Sequence, residues 1–346
     1  MSADYTKLIF PNHANIGTFF WATVDHSVFY WKSGEEHTIV AVATDNMAVT
    51  SRRSVDAEHF KSNIKWFWDI TDHGPTKWFL GFKIRRDCTS RTVSINQHAY
   101  IEAMVNKFRL TGAKKTLIPI NPHTHYLMKQ CPSTITQVAH MRGVLYCKVI
   151  RSILWLTVIS RLDMAYAVGV LSQFMQNLGQ AHWDAVKRVI SYLGSTKELW
   201  LTFGGKGQVN LQGYCDSDWA SQPHCHSISG FSFHYGQGSI LWSSKKQGLI
   251  TLSSTEAEYV AETHASKEGI WLKTFVREIT GSPINPVTIK ANNQGAIALA
   301  KDDKFYARTK HIDLCYHFVR EAVEQGKIKM EYIPTSENIV DIFMKA

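Results

Sequence analysis

The segment Leu252-Ser-Ser-Thr-Glu-Ala-Glu-Tyr259 constrains the fold of this chain more than any other part of the sequence. Ser253 and Glu256 have the spacing of a capping box, in which two side chains satisfy the free N–H groups at the start of a helix. The pattern therefore predicts a long helix over 254–279. It assigns Glu256 to the cap and places Glu258 in the first turns of the helix.

Strand and helix patterns alternate around this segment. Three strands are predicted before it, near 209–215, 229–235 and 239–251. After it the patterns predict strands at 287–291 and 327–333, and helices at 294–301, at 310–325 and from 336 onward. Hairpin strands followed by alternating helices and strands are typical of a mixed sheet flanked by helices, so we expect an α/β (α+β) fold.

The first part of the chain has a different pattern. Strands are predicted at 28–31, 37–44, 78–84 and 91–95, and helices at 54–67, 97–108, 140–159, 163–176 and 181–194. The glycine-rich stretch Gly204-Gly205-Lys206-Gly207 separates the two patterns. Glycine-rich stretches punctuate chains between folded parts, so we predict one domain over 1–203 and a second over 204–346.

Composition excludes some classes of protein. A hydrophobic content of 45% in 346 residues excludes disorder of the whole chain. No apolar run approaches the length of a membrane span, and no signal peptide is recognisable, so we expect an intracellular protein of the cytoplasm or nucleus. Residues 1–200 hold 23 Lys and Arg against 14 Asp and Glu, so the basic excess lies there. Such a surface either attracts a polyanion or is an ordinary solvated face.

Three segments together resemble the ribonuclease H domain of copia-type LTR retrotransposons. They are Gly213-Tyr-Cys-Asp-Ser-Asp-Trp-Ala220, Leu252–Tyr259 and Arg308-Thr-Lys-His-Ile-Asp-Leu314. The resemblance implies a two-metal Mg²⁺ site that cleaves the RNA strand of an RNA–DNA hybrid. Such a site needs several carboxylates from different elements, because hard cations prefer oxygen ligands and repel one another.

The resemblance assigns the acidic ligands of that site to Asp216, Glu258 and Asp341. Each acid alone has a simpler interpretation, as a turn residue or as an acid at the start of a helix. The remaining position of the family's set is Asn292, which carries an amide where the family has an aspartate. Because an amide lacks the charge that offsets repulsion between two divalent ions, we expect weak metal binding and impaired hydrolysis.

Residues 26–203 resemble the second half of a copia-type reverse transcriptase. The segments that carry the resemblance are His26–Tyr30, the turn at Ala43-Thr44-Asp45-Asn46, Trp78–Phe82 and Arg161–Gly169. The resemblance implies palm, thumb and connection remnants without the fingers. The family's turn carries two aspartates that hold catalytic metals, and only Asp45 is present here. We therefore expect no polymerase activity from this chain.

Candidate nucleic-acid-binding residues surround the segment Trp78–Phe82, which corresponds to the family's primer-contacting hairpin. They are Trp78, Lys83, Arg85, Arg86 and Arg91, with Arg52, Arg53, Lys114 and Lys115 as weaker candidates. The alternative is a half-buried strand with a bulge glycine and a solvated basic rim.

Three hypotheses for function follow. The first is a Pol fragment that retains ribonuclease H or polymerase activity, with RNA–DNA hybrid as substrate and other Pol or Gag chains of the element as partners. The second is a catalytically inactive protein that still binds nucleic acid, and the third is a transposon relic without function. Asn292 and Asn46 argue against activity, whereas the basic excess favours binding.

Overall fold

The fold is taken from a computed structural model of the chain. It describes residues 19–34, 36–110, 112, 114–122, 124–206, 209–281, 283, 286–301 and 313–344. All but the last two residues of the segment Arg308–Leu314 lie outside these ranges. Within the ranges, no helix combines the length and the apolar character that membrane crossing requires.

The chain divides into two compact units. The first comprises Met1–Leu80 and Trp271–Ile284, and the second comprises Gly81–Ile270 and Asn285–Ala346. This division follows packing, whereas the division predicted between 203 and 204 follows the change of sequence pattern and stays a prediction.

The first unit is an antiparallel sheet with one helix after it. Its strands pair in chain order and are β1 (Phe20–Ala22), β2 (Asp25–Ser33), β3 (Glu36–Ala43) and β4 (Asn46–Ser51). Helix α1 (Ser54–Lys65) follows, and β5 (Trp78–Phe79) lies near the end of this stretch of chain. The sheet and helix form an apolar core because Phe29 and Val40 of the sheet pack in one cluster with Phe60 and Ile64 of α1.

The second unit contains a helical core with a small sheet. The helices are α2 (His98–Lys107), α3 (Ile135–Met141), α4 (Tyr146–Ile159), α5 (Ala165–Ser172) and α6 (Gln180–Ser195). The strands β6 (Phe82–Asp87), β7 (Thr92–Asn96) and β8 (Leu201–Gly204) pair antiparallel in that order. The helix predicted over 140–159 is wrong in one respect, because a break at Arg142–Leu145, which contains Gly143, separates α3 from α4.

A buried arginine holds these helices together. Arg161 is 3% exposed and donates to both carboxylate oxygens of Asp163, at 3.0 and 2.7 Å. It also donates to the Thr196 carbonyl oxygen and hydroxyl, just past the end of α6, at 3.3 and 2.6 Å. Tyr192 of α6 donates its hydroxyl to Asp163 at 2.8 Å. The buried charge is therefore fully paired, as burial of an ion requires.

The five-stranded sheet confirms the predicted mixed topology. Its elements in chain order are β9 (Leu211–Gln222), β10 (His226–Tyr235), β11 (Gly238–Lys246), α7 (Ser254–Thr280), β12 (Val287–Ala291), α8 (Gln294–Lys301), α9 (Asp313–Glu324) and β13 (Ile328–Tyr332). The strand order is β11-β10-β9-β12-β13. The pairs β10–β11 and β9–β10 are antiparallel, whereas β9–β12 and β12–β13 are parallel.

The last segment packs directly on this sheet. It forms two short 3-10 helices, Thr335–Glu337 and Ile339–Phe343, so the α-helix predicted from 336 is wrong in type. Gly230 of β10 makes the close approach possible. A Cβ atom at Gly230 would lie 2.8 Å from Val340 Cγ1 and 3.2 Å from Phe343 Cβ. Any side chain at this position would displace the segment that carries Asp341.

Candidate functional site

Asp216 lies inside the central strand of the five-stranded sheet. Strand β9 pairs with β10 on one side and β12 on the other, and Asp216 is opposite Gly230. Its side chain is 4% exposed, and its Oδ1 accepts a hydrogen bond from the Ser217 N–H at 2.8 Å. The strand predicted to end near 215 runs on to Gln222. Pairing on both sides therefore fixes the backbone that carries Asp216.

Glu258 is positioned by a cap at the start of α7, in which Ser253 acts as predicted and the Glu256 carboxylate binds one residue before Ser253. The Ser253 hydroxyl accepts a hydrogen bond from the Glu256 N–H at 3.2 Å, and Glu256 Oε2 accepts one from the Leu252 N–H at 2.7 Å. The Glu256 carboxylate is thus engaged by the backbone. Glu258 is 8% exposed, and its Oε2 has no hydrogen-bond partner. The free oxygen belongs to the residue that the resemblance assigns to the site.

Asn292 follows the last residue of β12. Its Nδ2 donates to the Thr335 hydroxyl at 3.4 Å, and its buried Oδ1 has no hydrogen-bond partner. The side chain also lies within hydrogen-bonding reach of the Asp216 carboxyl group, where it offsets part of the rise in pKa that burial causes. The amide therefore lies where the sequence predicts it, with its oxygen uncommitted.

Asp341 is brought to the same place by Asn338. The Asn338 Nδ2 donates to the Cys215 carbonyl oxygen at 3.0 Å, and its Oδ1 accepts from the Val340 N–H at 3.3 Å. The first of these bonds fixes the 3-10 helix Ile339–Phe343 against the residue that precedes Asp216. The charge of Asp341 is close enough to raise the pKa of Asp216. Asp216, Glu258 and Asn292 therefore lie together, whereas Asp341 acts on Asp216 only through its charge, and the four-residue site stays a prediction.

The electrostatics of the group are those of crowded buried acids. Burial raises the pKa of Asp216, and the charge of Asp341 adds to the effect. Burial and then the charge of Asp216 raise the pKa of Glu258. The two carboxyl groups lie within hydrogen-bonding reach of each other. Two such groups do not both stay ionised unless a cation compensates their charge; without a cation, one of them holds a proton.

The donor set fits a hard cation in kind but is incomplete in charge. The unpartnered oxygens are Glu258 Oε2 and Asn292 Oδ1, and both are of the type that Mg²⁺ prefers. Within the described ranges, no group of three or more His, Cys, Asp or Glu side chains converges closely enough to hold a metal ion. Asn292 contributes an amide, which carries no negative charge, to this set of donors. Asp216, Glu258 and Asn292 are the residues that could hold a metal here, with Asp341 nearby.

Glu262 is a buried acid that the sequence analysis missed. It lies one turn after Glu258 on α7, it is 0% exposed, and neither carboxylate oxygen has a hydrogen-bond partner. Burial raises its pKa to about 8, although the charge of Lys301 opposes the shift. The spacing of four residues from Glu258 was the available signal, because it puts both side chains on one face of the helix.

The basic residues predicted to bind nucleic acid lie on exposed strands and turns. Lys83, Arg85 and Arg86 are exposed on β6, and Arg91 is exposed in the turn before β7 with a φ of 56°. Trp78, which belongs to the first compact unit, is 54% exposed. Among the weaker candidates, Arg53 pairs with Glu36 and with Asp56 at 2.7 Å, which leaves it less available for phosphate.

Arg85 and Arg86 share one surface groove. Its volume is about 500 Å³, and it is lined by Arg85, Arg86, Asp87, Cys88, Thr92 and Ser94. The guanidinium group of Arg85 lies 4.6 Å from the centre of the Trp200 ring. Trp200 was not among the predicted binding residues. Its position immediately before β8, a strand of the same sheet, was the available indication. The cation–π contact holds Arg85 in place while leaving the residue exposed.

Asp45 lies in the first compact unit. It is exposed in the two-residue turn Thr44–Asp45 between β3 and β4, and Thr44 has a φ of 52°. Asn46 begins β4 and pairs with Ala43. The turn therefore presents one carboxylate.

The chain is similar to known proteins along most of its length. The family model described as reverse transcriptase (RNA-dependent DNA polymerase) matches residues 16–122. The "Retrovirus-related Pol polyprotein from transposon TNT 1-94" of Nicotiana tabacum is 36% identical over 93% of this chain. The chain spans only about a quarter of that relative, with 24% of its length covered.

Two further similarities cover shorter stretches of the chain. The "Secreted RxLR effector protein 161" of Plasmopara viticola is 43% identical over 142 residues, which are 41% of this chain and 100% of that protein. The crystal structure of LC11-RNase H1 in complex with RNA/DNA hybrid is 14% identical, with a TM-score of 0.30. That match covers 38% of this chain and 89% of the solved one.

The buried carboxyl group of Glu262 predicts a pH dependence of stability. Its pKa is about 8 in the folded chain against an ordinary value of 4.5, so the folded state holds a proton that the unfolded state releases. The free energy of unfolding should therefore fall as the pH rises from about 4.5 through about 8. Urea unfolding at several pH values should show a smaller decline for Glu262→Gln than for the wild type.

The matched control is Glu324→Gln, which removes an exposed carboxylate at the end of α9. It should leave the pH dependence of the wild type unchanged. An equal pH dependence in the wild type and in Glu262→Gln would show that Glu262 does not carry this effect.

Proposed function

We propose that the carboxylate site of this chain descends from ribonuclease H chemistry and hydrolyses RNA in RNA–DNA hybrids only weakly. The chain belongs to the Pol proteins of copia-type retrotransposons, with a reverse transcriptase segment followed by a ribonuclease H-like fold. The observation that carries this proposal is the convergence of Asp216 and Glu258, with Asn292 and Asp341 beside them. The intracellular location of such a protein is part of the proposal.

The residues of the chain supply the setting for this reaction. Mg²⁺, when bound, would polarise a phosphate oxygen and lower the pKa of an attacking water. Asp216 is held by strand pairing and by the Ser217 N–H, whereas Glu258 is held by the capped helix. Their burial excludes bulk water, so charges at the site interact more strongly than they would in solvent.

Asn292 limits the site. An amide oxygen contacts a cation as a dipole, whereas a carboxylate also contributes a full negative charge. At about 4 Å, one unit charge is worth about 4 kcal/mol at an effective dielectric constant near 20. The missing charge lowers the affinity for the metal. It also weakens the stabilisation of the charge that forms at the phosphate during hydrolysis.

Restoring the carboxylate should restore hydrolysis. We expect Asn292→Asp to raise Mg²⁺-dependent cleavage of the RNA strand of an RNA–DNA hybrid by at least about tenfold, since each 1.4 kcal/mol of stabilisation gives that factor. The assay is gel analysis of a labelled hybrid over a Mg²⁺ titration, with Asp216→Asn in the Asn292→Asp background as the inactive control. Wild-type turnover equal to that of Asn292→Asp would refute the impairment.

We further propose that the turn of the reverse transcriptase segment does not support nucleotide addition. Asp45 supplies one carboxylate, and Asn46 replaces the second acid of the family's pair with an amide at the start of β4. Phosphoryl transfer depends on metal-held charge, which one exposed carboxylate cannot provide. A primer-extension assay with the purified chain should show no templated incorporation, and incorporation above that of Asp45→Ala would overturn this proposal.

The second candidate function is binding of nucleic acid without chemistry. The groove lined by Arg85 and Arg86 favours it, because Arg85 is held over the Trp200 ring in an exposed strand. An RNA–DNA hybrid is the partner we propose, and other Pol or Gag chains of the element are further proposed partners. The third hypothesis, a relic without function, requires that no hybrid is retained even at low salt.

Binding through phosphate contacts should depend on salt. Each phosphate contact contributes about −0.9 to the slope of log K against log salt concentration on duplex DNA. Removing one with Arg85→Gln should weaken hybrid binding and make this slope shallower by about one unit, as measured by fluorescence anisotropy. Arg277→Gln, a matched change at an exposed arginine of α7, should leave both the affinity and the slope unchanged. Lack of hybrid binding by the wild type at low salt would favour the relic.

A further inference from the structure

An exposed apolar rim lies next to the carboxylate site. It consists of Trp219, Ile250 and Leu252, whose exposed fractions are 48%, 50% and 73%. Trp219 belongs to β9, three residues after Asp216, and its indole N–H donates to the carbonyl oxygen of Thr251 at 3.2 Å. The hydrogen bond brings the indole to the residue between Ile250 and Leu252.

The indole is exposed but fixed in position. Thr251 is 3% exposed, and its hydroxyl lies 3.2 Å from the hydroxyl of Ser227. The Ser227 hydroxyl also accepts a hydrogen bond from the Ala220 N–H at 3.1 Å, next to Trp219 in the strand. The Thr251 carbonyl oxygen therefore holds the indole, buried neighbours hold Thr251, and about half of the Trp219 surface stays exposed. Fixing a side chain before binding reduces the entropy that binding costs.

The rim is continuous with both elements that carry the site. Three residues of a strand extend about 10 Å, which separates Trp219 from Asp216 along β9. At the other end, the Leu252 N–H donates to Glu256 Oε2 in the cap of the helix that bears Glu258. Nucleotides in one strand of a duplex are about 3.4 Å apart along the axis. Trp219 is therefore within reach of a hybrid that has one phosphate at the carboxylates.

The chemistry of the rim selects the part of the nucleotide that it contacts. Trp219, Ile250 and Leu252 carry no charge, so they do not compensate a phosphate. An indole face and aliphatic side chains suit the sugars and the faces or edges of bases, which are the surfaces that aromatic residues contact in nucleic acids. Phosphate contacts are left to the basic residues elsewhere in the chain.

We propose that Trp219 is a substrate-positioning residue that packs its indole on the sugar–base surface of an RNA–DNA hybrid beside the carboxylate site. The inference rests on the proposed function, since the position of the hybrid is set by Asp216 and Glu258. The Trp219 contact helps to fix the position of the hybrid relative to these two carboxylates.

The test is hybrid binding in Mg²⁺, where the wild type cleaves only weakly, measured by fluorescence anisotropy across a salt series, with gel analysis to establish that the labelled hybrid stays intact. Trp219→Ala should weaken binding by about fivefold to a hundredfold, the range for loss of one aromatic contact with a base. The factor should be equal at every salt concentration, because no phosphate contact is lost. Trp219→Phe should recover most of the affinity. Trp66→Ala, which removes an 85% exposed tryptophan of the first unit, is the matched control.

Circular dichroism and thermal unfolding establish that each variant is folded. Unchanged hybrid affinity in folded Trp219→Ala, while the wild type binds, would overturn this inference and leave the proposed function standing. A change in the salt slope would also overturn it, because the contact would then involve phosphate. Failure of the wild type to bind hybrid at low salt would overturn the inference together with the proposed function.

Discussion

The amide of Asn338 donates to the carbonyl oxygen of Cys215, and the arrangement of the candidate site depends on this buried hydrogen bond. The acceptor belongs to the residue before Asp216, and the donor lies three residues before Asp341. One bond thus joins the central strand to the last segment of the described chain, over a sequence separation of 123 residues. Because a buried donor without a partner costs about 1–3 kcal/mol, the last segment cannot move away from the strand cheaply.

The same part of the molecule concentrates acids that oppose one another. Asp216 and Glu258 face each other in a buried setting, Asp341 adds charge, and Glu262 lies unpaired one turn farther along the helix. Burying carboxylates close together lowers the stability of the fold. Functional sites, including those that bind cations, characteristically contain such groups. An amide at 292 relieves part of the repulsion. The same amide that we propose weakens metal binding therefore also favours the fold without metal.

Local rules in the sequence predicted a large part of this arrangement. The capping box of Ser253 and Glu256 fixed the start of the long helix, and strand alternation predicted the mixed sheet, because both depend on residues near in sequence. The 3-10 form of Ile339–Phe343 was not predictable, since it follows from packing against Gly230 across the sheet. The length of β9 was missed for a similar reason: pairing with β10 carries the strand past Asp216, although turn-forming residues there suggested an end. The stacking of Arg85 on Trp200 joins residues 115 positions apart, and no local pattern reports such a contact.

The absence of a side chain at Gly230 has a consequence for how such a site decays. Val340 and Phe343 occupy the space that a Cβ atom would need, so the spacing between the sheet and the acid-bearing segment is set by an uncharged residue of a neighbouring strand. A single methyl group there would separate Asp341 from Asp216 while every acid remained in the sequence. Inspection of the acidic residues alone would classify such a copy as intact. As mutations accumulate in a lineage, a substitution at Gly230 can therefore disrupt the arrangement of the acids before any acid itself is replaced.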